Sequence, residues 1–233
     1  MIHTAFFIVF TVLSTILFSV LAIISGPLTG AHSRVTNGII RMWARSVLVF
    51  SGVKVQAKGK ENIDRSQYYV FMSNHLSNFD ILALTVAIPV TVRFIAKKEL
   101  FRIPIFGWGM QIAGMIKIDR GNSRQARKII DKAVDIVRSG VSVIIFPEGT
   151  RSPDGKLQEF KKGGFVLALK GKIPIVPVVI QGSREIMKKK SLRLHKGRVF
   201  VNFLQPISTE PLDYENRKQV IAAVREQIKQ YYQ

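Results

Sequence analysis

The chain has 233 residues, 47% of them hydrophobic, no cysteine, and a formal charge of +20 at neutral pH. The length fits one domain with an appendage, and the missing cysteines exclude disulfides, thiolate metal sites and a cysteine nucleophile. So large a positive charge calls for an anionic partner or surface. The chain carries no zinc-finger, helix-turn-helix or aromatic-basic RNA signature, so nucleic acid is set aside as that partner.

The hydrophobic excess lies at the front. Residues 5–24 contain no charge and are mostly Phe, Ile, Val and Leu. As a helix they would extend ~30 Å, the thickness of a bilayer's hydrocarbon core. A cleaved signal peptide is the weaker reading, because no Lys or Arg precedes the run and the run is long for a signal's apolar region. The next charged residues are Arg34, Arg41, Arg45 and Lys54, and positive charge on this flank favours a cytoplasmic location for the rest of the chain. Residues 35–53 place Arg41 and Arg45 on a different face from Ile39, Ile40, Trp43, Val47, Leu48 and Phe50, which is the pattern of an interfacial helix. Residues 1–55 are therefore expected to form a membrane anchor, either crossing the bilayer or lying in one leaflet as a helical pair. Residues 56–233 are expected to form the catalytic domain.

Strand-like and helix-like segments alternate through that second part. Strands are expected over 68–72, 92–96, 115–118, 141–146, 173–180 and 199–204. Helices are expected over 79–87 (stopped by Pro89), 122–139, 163–170 and 213–232. The 122–139 segment is the clearest helix, with Ala126, Ile129, Ile130, Ala133, Val134 and Val137 on one stripe and Gly140 behind it. Such alternation predicts an α/β fold around a largely buried sheet flanked by helices.

Ser73-Asn74-His75-Leu76-Ser77-Asn78-Phe79-Asp80 follows the first of these strands. Histidine is the side chain suited to accept a proton near neutral pH, and a carboxylate beside it fixes the tautomer. Five residues along a helix correspond to ~500°, so His75 and Asp80 would point apart if both were helical. They meet only if His75 sits in the loop and Asp80 in the first helical turn. Ser77-x-x-Asp80 supplies that break as a helix cap. Taken alone, the octapeptide reads equally well as a cap with a structural histidine.

Two further stretches carry polar chemistry. Phe146-Pro147-Glu148-Gly149-Thr150-Arg151-Ser152 begins at a strand end, where ligands of open α/β sheets gather. Arg151 offers a planar fork for a phosphate, and Gly149 permits close backbone approach. Glu148 either holds Arg151 or meets a substrate hydroxyl. A plain surface turn is the competing reading. Residues 97–120 mix cations with large apolar side chains, as a site for an amphiphile would, and Arg120 follows an apolar strand. The basic run 184–198, with Lys188, Lys189, Lys190, Arg193, Lys196 and Arg198, suits an anionic lipid surface or an acidic carrier protein, and reads equally well as a solvated loop.

Asn74-His75-x-x-x-x-Asp80, Lys98-Glu99-Leu100 through Ile118-Asp119-Arg120, Phe146 to Ser152, and Ile175-Val176-Pro177-Val178 resemble, in order and spacing, the four motifs of the glycerolipid acyltransferases. The bacterial 1-acyl-sn-glycerol-3-phosphate enzymes of that family are the most similar. The resemblance spans residues 68–180 and breaks no motif core. It implies the mixed-sheet fold of that family, and acyl transfer from an acyl thioester (acyl-CoA or acyl carrier protein) to the 2-hydroxyl of a lysophosphatidate. In that scheme His75 acts as general base with Asp80 orienting it, and no metal or other cofactor takes part. It further implies that Glu148, Gly149, Thr150 and Arg151 bind the glycerol phosphate, with Arg120 and Lys98 adding to the phosphate site. The setting implied is the cytoplasmic face of a cell membrane with an anionic leaflet. Acylation of another acceptor, glycerol 3-phosphate or a different lysolipid, is the alternative function, and an acylated Ser77 or Thr150 is the alternative mechanism.

Overall fold

The computed structural model describes residues 2–119 and 123–232. Arg120, expected at the phosphate site, lies outside the described residues. The order of elements is α1 (Ile2–Thr29), α2 (Arg34–Ser51), β1 (Val53–Lys58), β2 (Val70–Ser73), α3 (Phe79–Ala87), β3 (Val92–Lys97), α4 (Phe106–Ile112) and β4 (Ile116–Ile118), followed by α5 (Ser123–Arg138), β5 (Ser142–Ile145), α6 (Gly163–Gly171), β6 (Ile175–Gln181), α7 (Ser183–Ile186), β7 (Gly197–Phe203) and α8 (Arg217–Gln230). Short 3₁₀ turns cover Lys60–Asn62, Lys98–Arg102 and Tyr214–Asn216.

The strands form one mixed sheet in the order β1-β7-β6-β2-β5-β3-β4. Strands β6, β2, β5, β3 and β4 run parallel, while β7 is antiparallel to β6 and pairs in parallel with β1. Each parallel connection needs a crossover, and α3, α4, α5 and α6 supply these in turn. One face packs Phe71, Ile144, Val176, Val178 and Ile180 against α2 and α3. The other packs Val70, Met72, Val143, Ile175 and Val179 against α5, α6 and α8. Alternate residues of β2, both faces covered, explain why this strand reads as a continuous apolar run rather than as an alternation.

The front of the chain is a helical hairpin packed on that first face. Helix α1 extends beyond the expected run to Thr29, through Gly26 and Pro27, with Gly30 N donating to Gly26 O at 2.8 Å. Among the described residues it is the one helix long and apolar enough to cross a membrane, and only 22% of its most apolar window is buried. Phe6, Val9, Val12, Leu13, Leu17, Ile24 and Leu28 stand exposed. Its other side meets α2 through Trp43 Nε1 donating to Thr15 Oγ1 (3.1 Å) and through the Phe10–Phe50 stack. Ala44, Val47 and Leu48 of α2 then join the sheet's own core.

Two arginines fasten this hairpin. Arg41 Nη2 donates to Ile88 O and Val90 O, beyond the end of α3. Arg93, fully buried in β3, donates to Ala31 O and Val92 O at 2.6 Å each. Burial pulls its guanidinium down to about 10, which leaves it charged at neutral pH.

Besides the short α7, two elements lie outside the expected set. The run Val53-Lys54-Val55-Gln56-Ala57-Lys58 alternates as an edge strand does and forms β1, so the second helix stops at Ser51 rather than reaching residue 53. Helix α4 carries Gly107 and Gly109, poor helix formers, in its first turns. Contacts explain both glycines: a Cβ at Gly109 would stand 2.9 Å from Ser19 Cβ of α1, and one at Gly107 2.4 Å from Phe101 O. Close approach to α1 overrides propensity there.

Candidate functional site

The parallel strands end on one edge of the sheet, and the loops leaving β2 and β5 meet there. Asn74, directly after β2, is fully buried. Its Nδ2 donates to Ile180 O (2.8 Å) and its Oδ1 accepts from Ile180 N (2.7 Å), so the side chain continues the pairing with β6 where the β2 backbone turns away. That turn delivers His75 into the loop and Asp80 into the first turn of α3.

His75 Nδ1 and Asp80 Oδ2 are 2.8 Å apart. The same Oδ2 accepts from Leu76 N (2.6 Å) and Ser77 N (2.8 Å). An oxygen that already accepts from two backbone N–H groups is best matched by a third donor, so the arrangement suits the tautomer with the proton on Nδ1 and Nε2 as the acceptor. The imidazole is 13% exposed and stacks on Phe146 with centroids 3.9 Å apart and planes at 14°. The predicted cap is shifted by one residue. Asn78 is the N-cap, while Ser77 turns its buried hydroxyl to donate to Met187 O at 2.7 Å.

The loop after β5 grips the His75 backbone from both sides. His75 N donates to Glu148 Oε1 at 2.7 Å, and Ser152 N donates to His75 O at 2.8 Å. The second oxygen of Glu148 accepts from Gln158 N at 3.1 Å. Glu148 is 2% exposed, and burial pushes its carboxyl up to about 7, with the two N–H donors opposing the rise and the charge of Asp80 adding to it. The side chain offered by the sequence as an acceptor ligand thus spends both oxygens on the loops that position His75.

Gly149 has φ +73°, and the side chain of Lys161 lies across it: a Cβ there would stand 3.0 Å from both Cδ and Cε of Lys161 and 3.1 Å from its Nζ. Lys189 Nζ donates to Arg151 O (2.7 Å) and Thr150 Oγ1 (3.3 Å). Lys98 sits at the end of β3 and is paired with Asp119 at 2.5 Å. It shares the sheet edge but stands beyond β5 from His75. The structure therefore gathers His75, Asp80, Glu148, Gly149, Thr150 and Arg151 into one site.

Sequence reading missed the part played by Asn74, whose buried pairing partner is 106 residues away, and it missed Lys161, one of two consecutive lysines in a loop with no distinguishing pattern. Residues 100–115 contribute to an apolar groove of about 70 Å³ between α1, α2 and α4, lined by Phe18, Ala22, Ile40, Trp43, Phe106 and Met110 among others.

Comparison with known proteins places this geometry among relatives. The family model described as Acyltransferase matches residues 54–181. The chain is 33% identical to 1-acyl-sn-glycerol-3-phosphate acyltransferase alpha of Bos taurus, over 82% of this chain and 68% of that protein. It is 36% identical to the 1-acyl-sn-glycerol-3-phosphate acyltransferase of Saccharomyces cerevisiae, over 76% of this chain and 59% of that protein. It is 37% identical to a chloroplast enzyme of the same name from Brassica napus, over 72% of this chain, and spans about half the length of that protein (49%). Among solved structures, the 1-acyl-sn-glycerophosphate acyltransferase PlsC of Thermotoga maritima superposes with a TM-score of 0.85 at 25% identity, covering 99% of this chain and 93% of that one.

Proposed function

We propose that this chain, which belongs to the acyltransferase family, transfers a fatty acyl group from an acyl thioester to the sn-2 hydroxyl of 1-acyl-sn-glycerol 3-phosphate, giving phosphatidic acid. The observation that carries the reading is the His75 Nδ1–Asp80 Oδ2 contact of 2.8 Å, which leaves Nε2 to receive a proton. His75 takes the acceptor's hydroxyl proton as the oxygen attacks the thioester carbonyl. The thiolate of acyl-CoA or acyl carrier protein leaves, and the imidazolium formed is stabilised by Asp80. Base assistance of this kind supplies ~10²–10⁴ in rate, and holding the two substrates together supplies more. A thioester is already activated, so no ATP or metal enters the scheme.

Arg151 and the Gly149 backbone receive the acceptor's phosphate, with Arg120 and Lys98 as further cations of the family pattern. Glu148 and Thr150 act through the loop. The chain works at a cytoplasmic membrane with its catalytic part on the cytoplasmic side, held by the exposed apolar side of α1. The apolar lining of the groove between α1, α2 and α4 suits the contact of a short stretch of an acyl chain. A covalent acyl-serine route through Ser77 is disfavoured by burial of that hydroxyl and its bond to Met187 O.

The test is detergent-purified protein assayed with acyl-CoA and acyl carrier protein donors on a panel of lysophospholipids and glycerol 3-phosphate. Phosphatidic acid formation that vanishes in His75→Ala is the expected result. Acylation of a different acceptor alone would redirect the reading, and full activity in His75→Ala would end it.

A further inference from the structure

Arg151 is not the sole cation on its loop. Lys161 lies across Gly149, with its backbone N–H tied to Pro147 O at 2.8 Å. Lys189 approaches from the segment after α7, with its ammonium on Arg151 O and Thr150 Oγ1. Among the described residues, no carboxylate lies within ion-pair distance of Arg151, Lys161 or Lys189. The nearby acids are already engaged: Glu148 on two backbone N–H groups, Asp80 on His75, and Asp154 on Ser152 Oγ and Lys156 N. Three like charges around one four-residue turn repel each other unless an anion joins them.

We infer that Lys161 and Lys189 are phosphate ligands that complete the acceptor site with Arg151, each meeting the phosphate monoester from its own side of the Gly149–Arg151 turn. This rests on the proposed acceptor. The turn is fastened to both the N–H and the C=O of His75, so an anion held by these cations sits beside the general base. A phosphate monoester is nearly a dianion at neutral pH, which matches more than one cation. Lysine acts as a compact point charge on a flexible stem, so each ammonium can leave its present contact for the ligand.

The experiment compares Lys161→Gln, Lys189→Gln and the charge-keeping Lys161→Arg and Lys189→Arg with the unaltered protein, on 1-acylglycerol 3-phosphate and on the phosphate-free 1-acylglycerol. Thermal protection by 1-acylglycerol 3-phosphate without donor is measured in parallel. Each Gln variant is expected to raise the KM for the phosphate acceptor about ten- to hundred-fold, and to lose the protection. The Arg variants regain most of both, and the KM for acyl-CoA stays level. Equal losses on both acceptors would make the lysines mere braces of the loop and overturn the inference. A rise in the KM for acyl-CoA instead would assign the cations to the donor's phosphates and overturn it equally. Unchanged acceptor KM in a protein that does acylate lysophosphatidate would sink the site and keep the function. Protection lost in the variants of a protein that never acylates lysophosphatidate would keep the site and sink the function.

Discussion

The backbone N–H of His75 is held by Glu148 Oε1 at 2.7 Å, across 73 residues of sequence. Two loops from neighbouring strands are thereby tied together, and the acidic residue of the second loop holds the backbone of His75 without touching its ring. Burial is the dominant influence on this carboxyl, holding it at about 7 against an ordinary 4.5. Between those values the folded chain keeps a proton that the unfolded chain has lost. The stability from the neutral form is complete below about pH 4.5 and is lost as the pH rises through about 7. Glu148→Gln cannot titrate. The thermal midpoint of the unaltered protein minus that of Glu148→Gln should therefore fall as the pH goes from about 5 to about 8. A gap that stays constant would return this carboxyl to ordinary acidity.

Asp80→Asn separates charge from folding. One oxygen, Oδ2, accepts from Leu76 N and Ser77 N and meets His75 Nδ1, so an asparagine with its amide oxygen there keeps these contacts but loses the negative charge that stabilises an imidazolium. The turnover number should drop ~10²–10⁴, with the circular dichroism spectrum unchanged. Retention of most of the activity would show that the charge of Asp80 is not needed.

Ser77→Ala addresses the covalent alternative. Its hydroxyl is buried and bonded to Met187 O, so removing it costs about 1 kcal/mol of stability and leaves the proton path through His75 intact. Activity within about ten-fold of the unaltered protein is expected. Loss matching that of His75→Ala would favour an acyl-serine, and rapid-quench trapping of labelled acyl groups on the protein would identify it.

Gly149→Ala tests the turn. A φ of +73° costs an L-residue about 1–2 kcal/mol, and the added methyl would displace Lys161. The KM for the phosphate-bearing acceptor should rise about ten-fold while chemical unfolding shifts by no more than the backbone strain. An unaltered KM would place the phosphate away from this turn.

Local pattern determined much of this protein. Five-residue spacing and a helix start were enough to predict that His75 and Asp80 meet, because a loop-to-helix junction is the local geometry that lets them. An apolar run stopped by Pro89 located α3, and a helical-period stripe located α5, each to within a residue. The apolar run marked α1, since length and lack of charge are properties of the segment itself. Other features depend on residues far apart in the chain. Gly109 opposes a helix until α1 packs against it, and Gly107 until the backbone of Phe101 does. Asn74 is an ordinary loop residue until Ile180 pairs with it, and Glu148 is a turn acid until its burial joins it to His75 N. Lys161 and Lys189 reach Gly149 and Arg151 only in the folded chain. The His75–Asp80 pairing could be read from one octapeptide, but the cations around it were assembled by a sheet whose strand order is not written in any window of the sequence.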